Sequence, residues 1–155
     1  YEALMADYER LKAAYGDLVR ITEDGNLQIT LPASINFASG SYALTKAGKQ
    51  TLDSVARELT NEFPNCKIMV IGHTDSDPIR KSPFKDLLEL GGERAFEVVR
   101  YLASQGVDRS RLTGSSRGAQ DPVADNATKE GKKKNRRVEI VVVMPKITGK
   151  LNQKN

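Results

Sequence analysis

Cysteine occurs once, at Cys66, so no internal disulfide can staple this chain. Histidine also occurs once, at His73, which leaves no second imidazole for the three-ligand sets typical of catalytic zinc. A Cys66–His73 nucleophile pair fails on distance, because the two would sit at opposite ends of one strand, roughly 20 Å apart. Tryptophan is absent and aromatics make up only 6%, which argues against a base-stacking platform. No apolar run approaches the ~18 residues needed to cross a bilayer, and no signal-peptide pattern opens the chain. No G-x-S-x-G, P-loop or G-x-G-x-x-G motif occurs. These absences weigh against an enzyme and against any metal or other cofactor.

What is present suits one ordinary domain. The 155 residues are 39% hydrophobic and 28% charged, enough for a core that needs neither disulfide nor metal. Net charge is +4 but uneven. The segment Lys129-Glu130-Gly131-Lys132-Lys133-Lys134-Asn135-Arg136-Arg137 holds six basic residues against one acid, and the remainder is close to neutral. Such a run is a solvated loop or, alternatively, a nucleic-acid or anionic-surface contact. The start at Tyr1 rather than Met leads to the expectation that a targeting or tethering segment lies outside these residues.

Periodicity divides the chain. Leu4, Tyr8, Leu11, Tyr15 and Leu18 form a heptad seam on a helix expected over residues 1–20. That seam could pack on its own domain, or it could end a longer coiled coil and support a homodimer. Alternation at Leu27, Ile29 and Leu31 predicts a strand. Thr45 to Phe63 reads as a helix with an apolar stripe at Leu52, Val55, Ala56, Leu59 and Phe63, stopped by Pro64. Lys67 to Ile71 is a short apolar strand, followed by a loop to about Pro83. A second long helix is expected from about Phe84 to Gln105, with Gly106 as its cap and the pair Gly91-Gly92 inside it. Arg111–Ser115 and Val138–Met144 are further strands, the latter central, separated by a polar loop over 116–135. The expected fold class is α/β, an α+β sandwich: a βαβαβ-type mixed sheet with helices packed on one face, preceded by an N-terminal helix. The expected units are a linker or coiled-coil helix over 1–22, a globular domain over 23–146 and a flexible tail over 147–155.

Two charged residues stand out. Asp75 follows Thr74 just past a strand, where backbone N–H groups are available. Arg94 lies on the apolar side of the second helix, between Leu90 and Val98, so it needs a partner. The two could bridge loop to helix, or they could receive a zwitterion: a carboxylate for an ammonium, a guanidinium for a carboxylate. For His73, ring nitrogens that fix the following loop are the expectation, ahead of any catalytic role.

The runs IMVIGHTDSDPI, LLELGGERAFEVVRYLASQGVDRSRL and GAQDPVADNATKEGKKKNRRVEIVV, in that order, resemble the OmpA-like peptidoglycan-binding domain. That module occurs in outer-membrane OmpA, the peptidoglycan-associated lipoprotein and the flagellar stator protein MotB. The resemblance covers about residues 27–144 and leans to the MotB branch through INFASGSYALTKAGKQTLD and the short GHTDSDPI. It implies that Asp75 and Arg94 hold the free amino-acid end of diaminopimelate in a peptidoglycan stem peptide. It also implies that Phe37, Ala38, Thr74, Leu90 and Arg137 line the same groove. Gly91 stands where the family has serine, Leu87 where it has asparagine, and Ser116-Arg117-Gly118 where it has Gly-aromatic-Gly. The implied role is non-catalytic anchoring of an envelope or stator protein to the cell wall, in the periplasm. The expected partner is the stem peptide, with no nucleic acid and with a membrane reached only through a tether.

Overall fold

The computed structural model describes residues 2–80 and 82–146. The tail expected at 147–155 lies outside them. Five strands form one mixed sheet: β1 (Val19–Ile21), β2 (Leu27–Pro32), β3 (Lys67–His73), β4 (Leu112–Gly118) and β5 (Arg137–Val143). Their order is β1-β2-β5-β3-β4. All pairs are antiparallel except β3 with β4. The apolar VEIVVV run is therefore central, as its composition predicts. The helices are α1 (Glu2–Tyr15), α2 (Ala33–Asn36), α3 (Lys46–Asn61), α4 (Leu87–Ser104) and α5 (Lys129–Asn135).

Period-two alternation splits the sheet into unlike faces. Leu27, Ile29, Leu31, Ile68, Val70, Val138, Ile140 and Val142 are at most 1% exposed and share one core with α3, α4 and α1. Their chain neighbours Gln28, Thr30, Met69, His73, Arg137 and Glu139 turn to the opposite face. The helix ends follow capping chemistry. Thr45 accepts a hydrogen bond from the Gly48 N–H to open α3, and Asp86 accepts from the Glu89 N–H to open α4. That second cap starts α4 at Leu87, three residues later than the periodicity suggests. Gly106, at φ 105°, closes α4 as expected.

The N-terminal helix is shorter than its seam implies. Gly16 adopts φ 60° and ends it, and Val19–Ile21 turns into an edge strand on β2. The seam is used within the chain. Leu11 is fully buried, the Tyr15 hydroxyl lies 2.7 Å from Ser54 Oγ, and Arg10 reaches Glu58 and stacks over Phe63. Of the two readings of this seam, packing on the chain's own domain is the one these contacts show. Leu11→Ala is accordingly expected to lower stability by about 2–5 kcal/mol, as for other large-to-small core changes. A shift in the urea midpoint measures it, and a neutral result would place α1 outside the folding unit.

The polar loop expected over 116–135 contains α5. Thr128 caps it by accepting from the Gly131 N–H, and Lys132, Lys133 and Lys134 fall in the last turn, where they favour the helix dipole. Asn135, fully buried, fixes the preceding loop by accepting from the Val123 and Ala124 N–H groups and donating to the Ala124 carbonyl.

Candidate functional site

Five elements meet at one end of the sheet: the C-terminus of β3, the start of β5, the first half of α4, the turn after α2, and α5. Thr74 extends β3 by donating its N–H to the Gly118 carbonyl at 2.9 Å. The chain then turns at Asp75, whose Oδ1 accepts from the Asp77 N–H at 3.0 Å. Such a local side-chain turn is what an Asp at a strand end does well. The Thr74 hydroxyl donates to the Asp75 carbonyl, which tightens the turn further.

Arg94 is only 6% exposed. Its guanidinium lies 5.4 Å from the centre of the Phe37 ring, and its Nε donates to the Ser41 carbonyl at 2.9 Å. Its Nη1 is buried with no partner among the described residues. Burial pushes its pKa below the usual arginine value, the charge of Arg136 adds to that, and Asp75 opposes it. Arginine stays protonated regardless. The directions mean that this cation is short of negative charge. Ala38, exposed, belongs to the turn that presents Ser41, and Leu90 sits one helical turn before Arg94. Beside Leu90 opens a cavity of about 260 Å³, lined also by Gly40, Ile79, Arg80 and Phe84.

Asp75, Thr74, Phe37, Ala38, Leu90 and Arg94 thus gather at one end of the sheet. Arg137 does not join them. It is 4% exposed and on the sheet face turned away from α3 and α4, where it donates to Glu139, to the Asn135 carbonyl and to the Asp121 carbonyl. Arg136 takes its place, donating from Nη1 to Asp75 Oδ2 at 2.6 Å. Lys132, one turn earlier on α5, pairs with Asp77 at 3.1 Å. Three of the six cations in the basic segment are therefore tied to acids of the chain itself, which weakens its case as an anionic-surface contact. The signal for Arg136 lay in the alternation of Arg136-Arg137 ahead of β5, but alternation alone does not say which of the two faces the groove.

His73 bonds away from the loop that it was expected to fix. Its Nε2 lies 2.9 Å from Glu139 Oε1 across the β3–β5 pair, on the sheet face turned away from α3 and α4. Burial would raise the Glu139 pKa, but the His73 hydrogen bond and the charges of His73 and Arg137 outweigh it, and the net shift is downward. A carboxylate with a depressed folded pKa stabilises above its unfolded value, about 4.3, and loses that contribution as pH falls through the folded pKa. Glu139→Gln should therefore cost roughly 1–3 kcal/mol at pH 7, and the gap to wild type should narrow near pH 3. Urea melts at the two pH values read this out, and a gap that does not narrow would contradict it. A cavity of about 700 Å³ opens on this same sheet face, where α2 and α5 contribute Ile35 and Lys133 beside Gln28, Arg137 and Glu139. Asp75, Arg94 and Arg136 are not among its lining residues, and nothing in its lining repeats the groove's orphaned buried cation.

The glycines place the departures from the family pattern. Gly91 lies at the α4–β3 crossing: a Cβ there would meet Ser116 Oγ at 2.6 Å and the Gly72 carbonyl at 3.2 Å. The missing serine is thus a matter of helix–sheet packing. Arg117 is the extra residue of a bulge, since Gly72 pairs with Ser116 and His73 with Gly118. Gly118 adopts φ 55°, as the turn of the bulge requires.

Among the described residues no cluster of three or more His, Cys, Asp or Glu could hold a metal. Geometry and charge define a binding module, with a buried cation and a carboxylate beside it. Residues 36–136 match the model of the OmpA family, and the chain belongs to that family. It is 40% identical over 129 residues to the probable lipoprotein YiaD of Escherichia coli, covering 82% of this chain and 56% of that protein. The chain thus spans only part of that relative's length. A crystal structure of a putative MotB-like protein from Desulfovibrio vulgaris superposes with TM-score 0.83 at 25% identity, covering 94% of this chain and 93% of that one. The cell wall anchor of the T6SS from Pseudomonas aeruginosa superposes with TM-score 0.74 at 30% identity, covering 93% and 96%.

Proposed function

We propose that this chain binds peptidoglycan without covalent chemistry and so anchors a larger envelope protein to the cell wall. The ligand group is the zwitterionic end of diaminopimelate in a stem peptide. The observation that carries this reading is the buried Arg94, with a guanidinium nitrogen that has no partner among the described residues, close to the carboxylate of Asp75. A buried charge left unpaired is costly, and a ligand carboxylate in bidentate contact would offset that cost. The ammonium on the same carbon would then fall to Asp75. Family membership and the likeness to a cell wall anchor support the same reading.

The proposal places the chain in the periplasm, linked to a membrane by a segment outside these residues. The test is co-sedimentation with insoluble peptidoglycan. The protein should pellet with it and release no muropeptides. Failure to pellet would refute binding, and soluble muropeptides would restore an enzymatic reading.

A further inference from the structure

Resting on the peptidoglycan reading, we infer that Arg136 makes the groove selective for a ligand end that carries two carboxylates for its one ammonium, over a neutral zwitterion. The charge inventory is the starting point. Among the described residues Asp75 is the one acid whose charge acts on Arg94, whereas Arg94 and Arg136 are both cations. Asp77 adds nothing, because Lys132 neutralises it at 3.1 Å. The groove therefore carries more positive than negative charge, and Arg80 on the adjoining cavity adds to the excess.

The hydrogen bonds sharpen the point. Both oxygens of Asp75 are engaged, Oδ1 by the Asp77 N–H and Oδ2 by Arg136 Nη1 at 2.6 Å. An incoming ammonium must share Oδ2 with Arg136 or displace it. A neutral zwitterion brings one carboxylate, which Arg94 takes, and leaves two cations competing for one aspartate. A second carboxylate on the ligand gives Arg136 an acceptor as it yields Asp75. The side chain of Arg136 is 36% exposed, so it is not locked by packing and can make that exchange. Arg94 is fixed by Ser41 and Phe37 and cannot.

In stem-peptide chemistry, the end with this charge pattern is a tripeptide that terminates in diaminopimelate. It has one free carboxylate on each of the residue's two α-carbons and one free ammonium. Amidation of the chain-terminal carboxylate makes the same end neutral without altering the zwitterionic carbon.

Calorimetry with the synthetic tripeptide L-Ala-γ-D-Glu-diaminopimelate and its chain-terminal monoamide tests this. Wild type should bind the free acid about tenfold tighter than the amide, the size expected for one charge-assisted pair. Arg136→Gln should bring that ratio near one, chiefly by weakening the free acid, and Arg136→Lys should retain part of it. Circular dichroism of each variant confirms the fold. Equal binding of both ligands by wild type, or an undiminished ratio in Arg136→Gln, overturns the selectivity and leaves the peptidoglycan reading intact. Binding of neither ligand by wild type overturns both.

Discussion

Asp75→Asn is expected to weaken peptidoglycan binding about 30- to 1000-fold while the domain stays folded. Asparagine keeps the side-chain volume and the oxygen that accepts from the Asp77 N–H, so the turn survives. It removes the one negative charge that faces Arg94 and Arg136. Arg136 is partly exposed and returns to water at little cost, whereas a ligand ammonium loses its counter-charge in a desolvated site. Truncating one member of such a pair costs about 2–4 kcal/mol, and each 1.4 kcal/mol is tenfold. Arg94→Lys should be about as damaging. It keeps the charge but loses the planar fork, the donor to Ser41 and the stacking on Phe37. Quantitative co-sedimentation together with a thermal melt distinguishes lost affinity from lost fold. If Asp75→Asn pellets like wild type, the groove is misassigned.

The second large effect concerns stability and should separate two adjacent glycines. A Cβ on Gly72 would lie 1.8 Å from the Gly91 carbonyl oxygen and 2.5 Å from its carbon. Both belong to backbone, so relief requires α4 to move off β3. Gly72→Ala is expected to cost about 3 kcal/mol or more, the upper range for overpacking, or to prevent folding outright. That corresponds to a fall in Tm of roughly 6–12 °C for a domain of this size. A Cβ on Gly91 meets Ser116 Oγ at 2.6 Å, a hydroxyl that can rotate away by giving up the Gly118 N–H, and the Gly72 oxygen at a tight 3.2 Å that a shift of a few tenths of an ångström relieves. The helix gains up to about 1 kcal/mol from alanine there. Gly91→Ala should fall within about 1 kcal/mol of wild type. Equal melting temperatures for the two variants would show that α4 and β3 do not approach this closely. The same close approach explains Gly91 inside α4, where propensity alone disfavours glycine; a Cβ on Gly92 would meet only ordinary contacts at 3.6 Å, so the structure gives no packing reason for that glycine.

Much of this was legible in the residues. Alternation at Leu27–Leu31 and Val138–Val142, and the stripes at Leu52–Leu59 and Ala95–Leu102, locate the strands and helices. These periods report directly which side chains must leave water. Asp75 and Arg94 were legible too, because a strand-end carboxylate and an arginine on an apolar helix face both demand partners. The short elements were not. β1 hides behind a heptad seam that runs on past Gly16, and α5 hides in a run of lysines whose helix depends on the Thr128 cap and on burial of Asn135.

The sequence by itself determined that one carboxylate, Asp75, would lie at a strand end and one cation, Arg94, on the apolar side of a helix, each needing a partner. Only the tertiary structure decided that Arg136 rather than Arg137 enters the groove. That choice belongs to the register of β5 against β3, which sets Arg137 beside His73 on the sheet face turned away from α3 and α4 and leaves Arg136 to reach Asp75. A slip of one residue would exchange them. The partner of the α1 seam was settled in the same way. Apolar spacing shows that a face must be covered, but not by what, and here the covering surface is the domain's own α3.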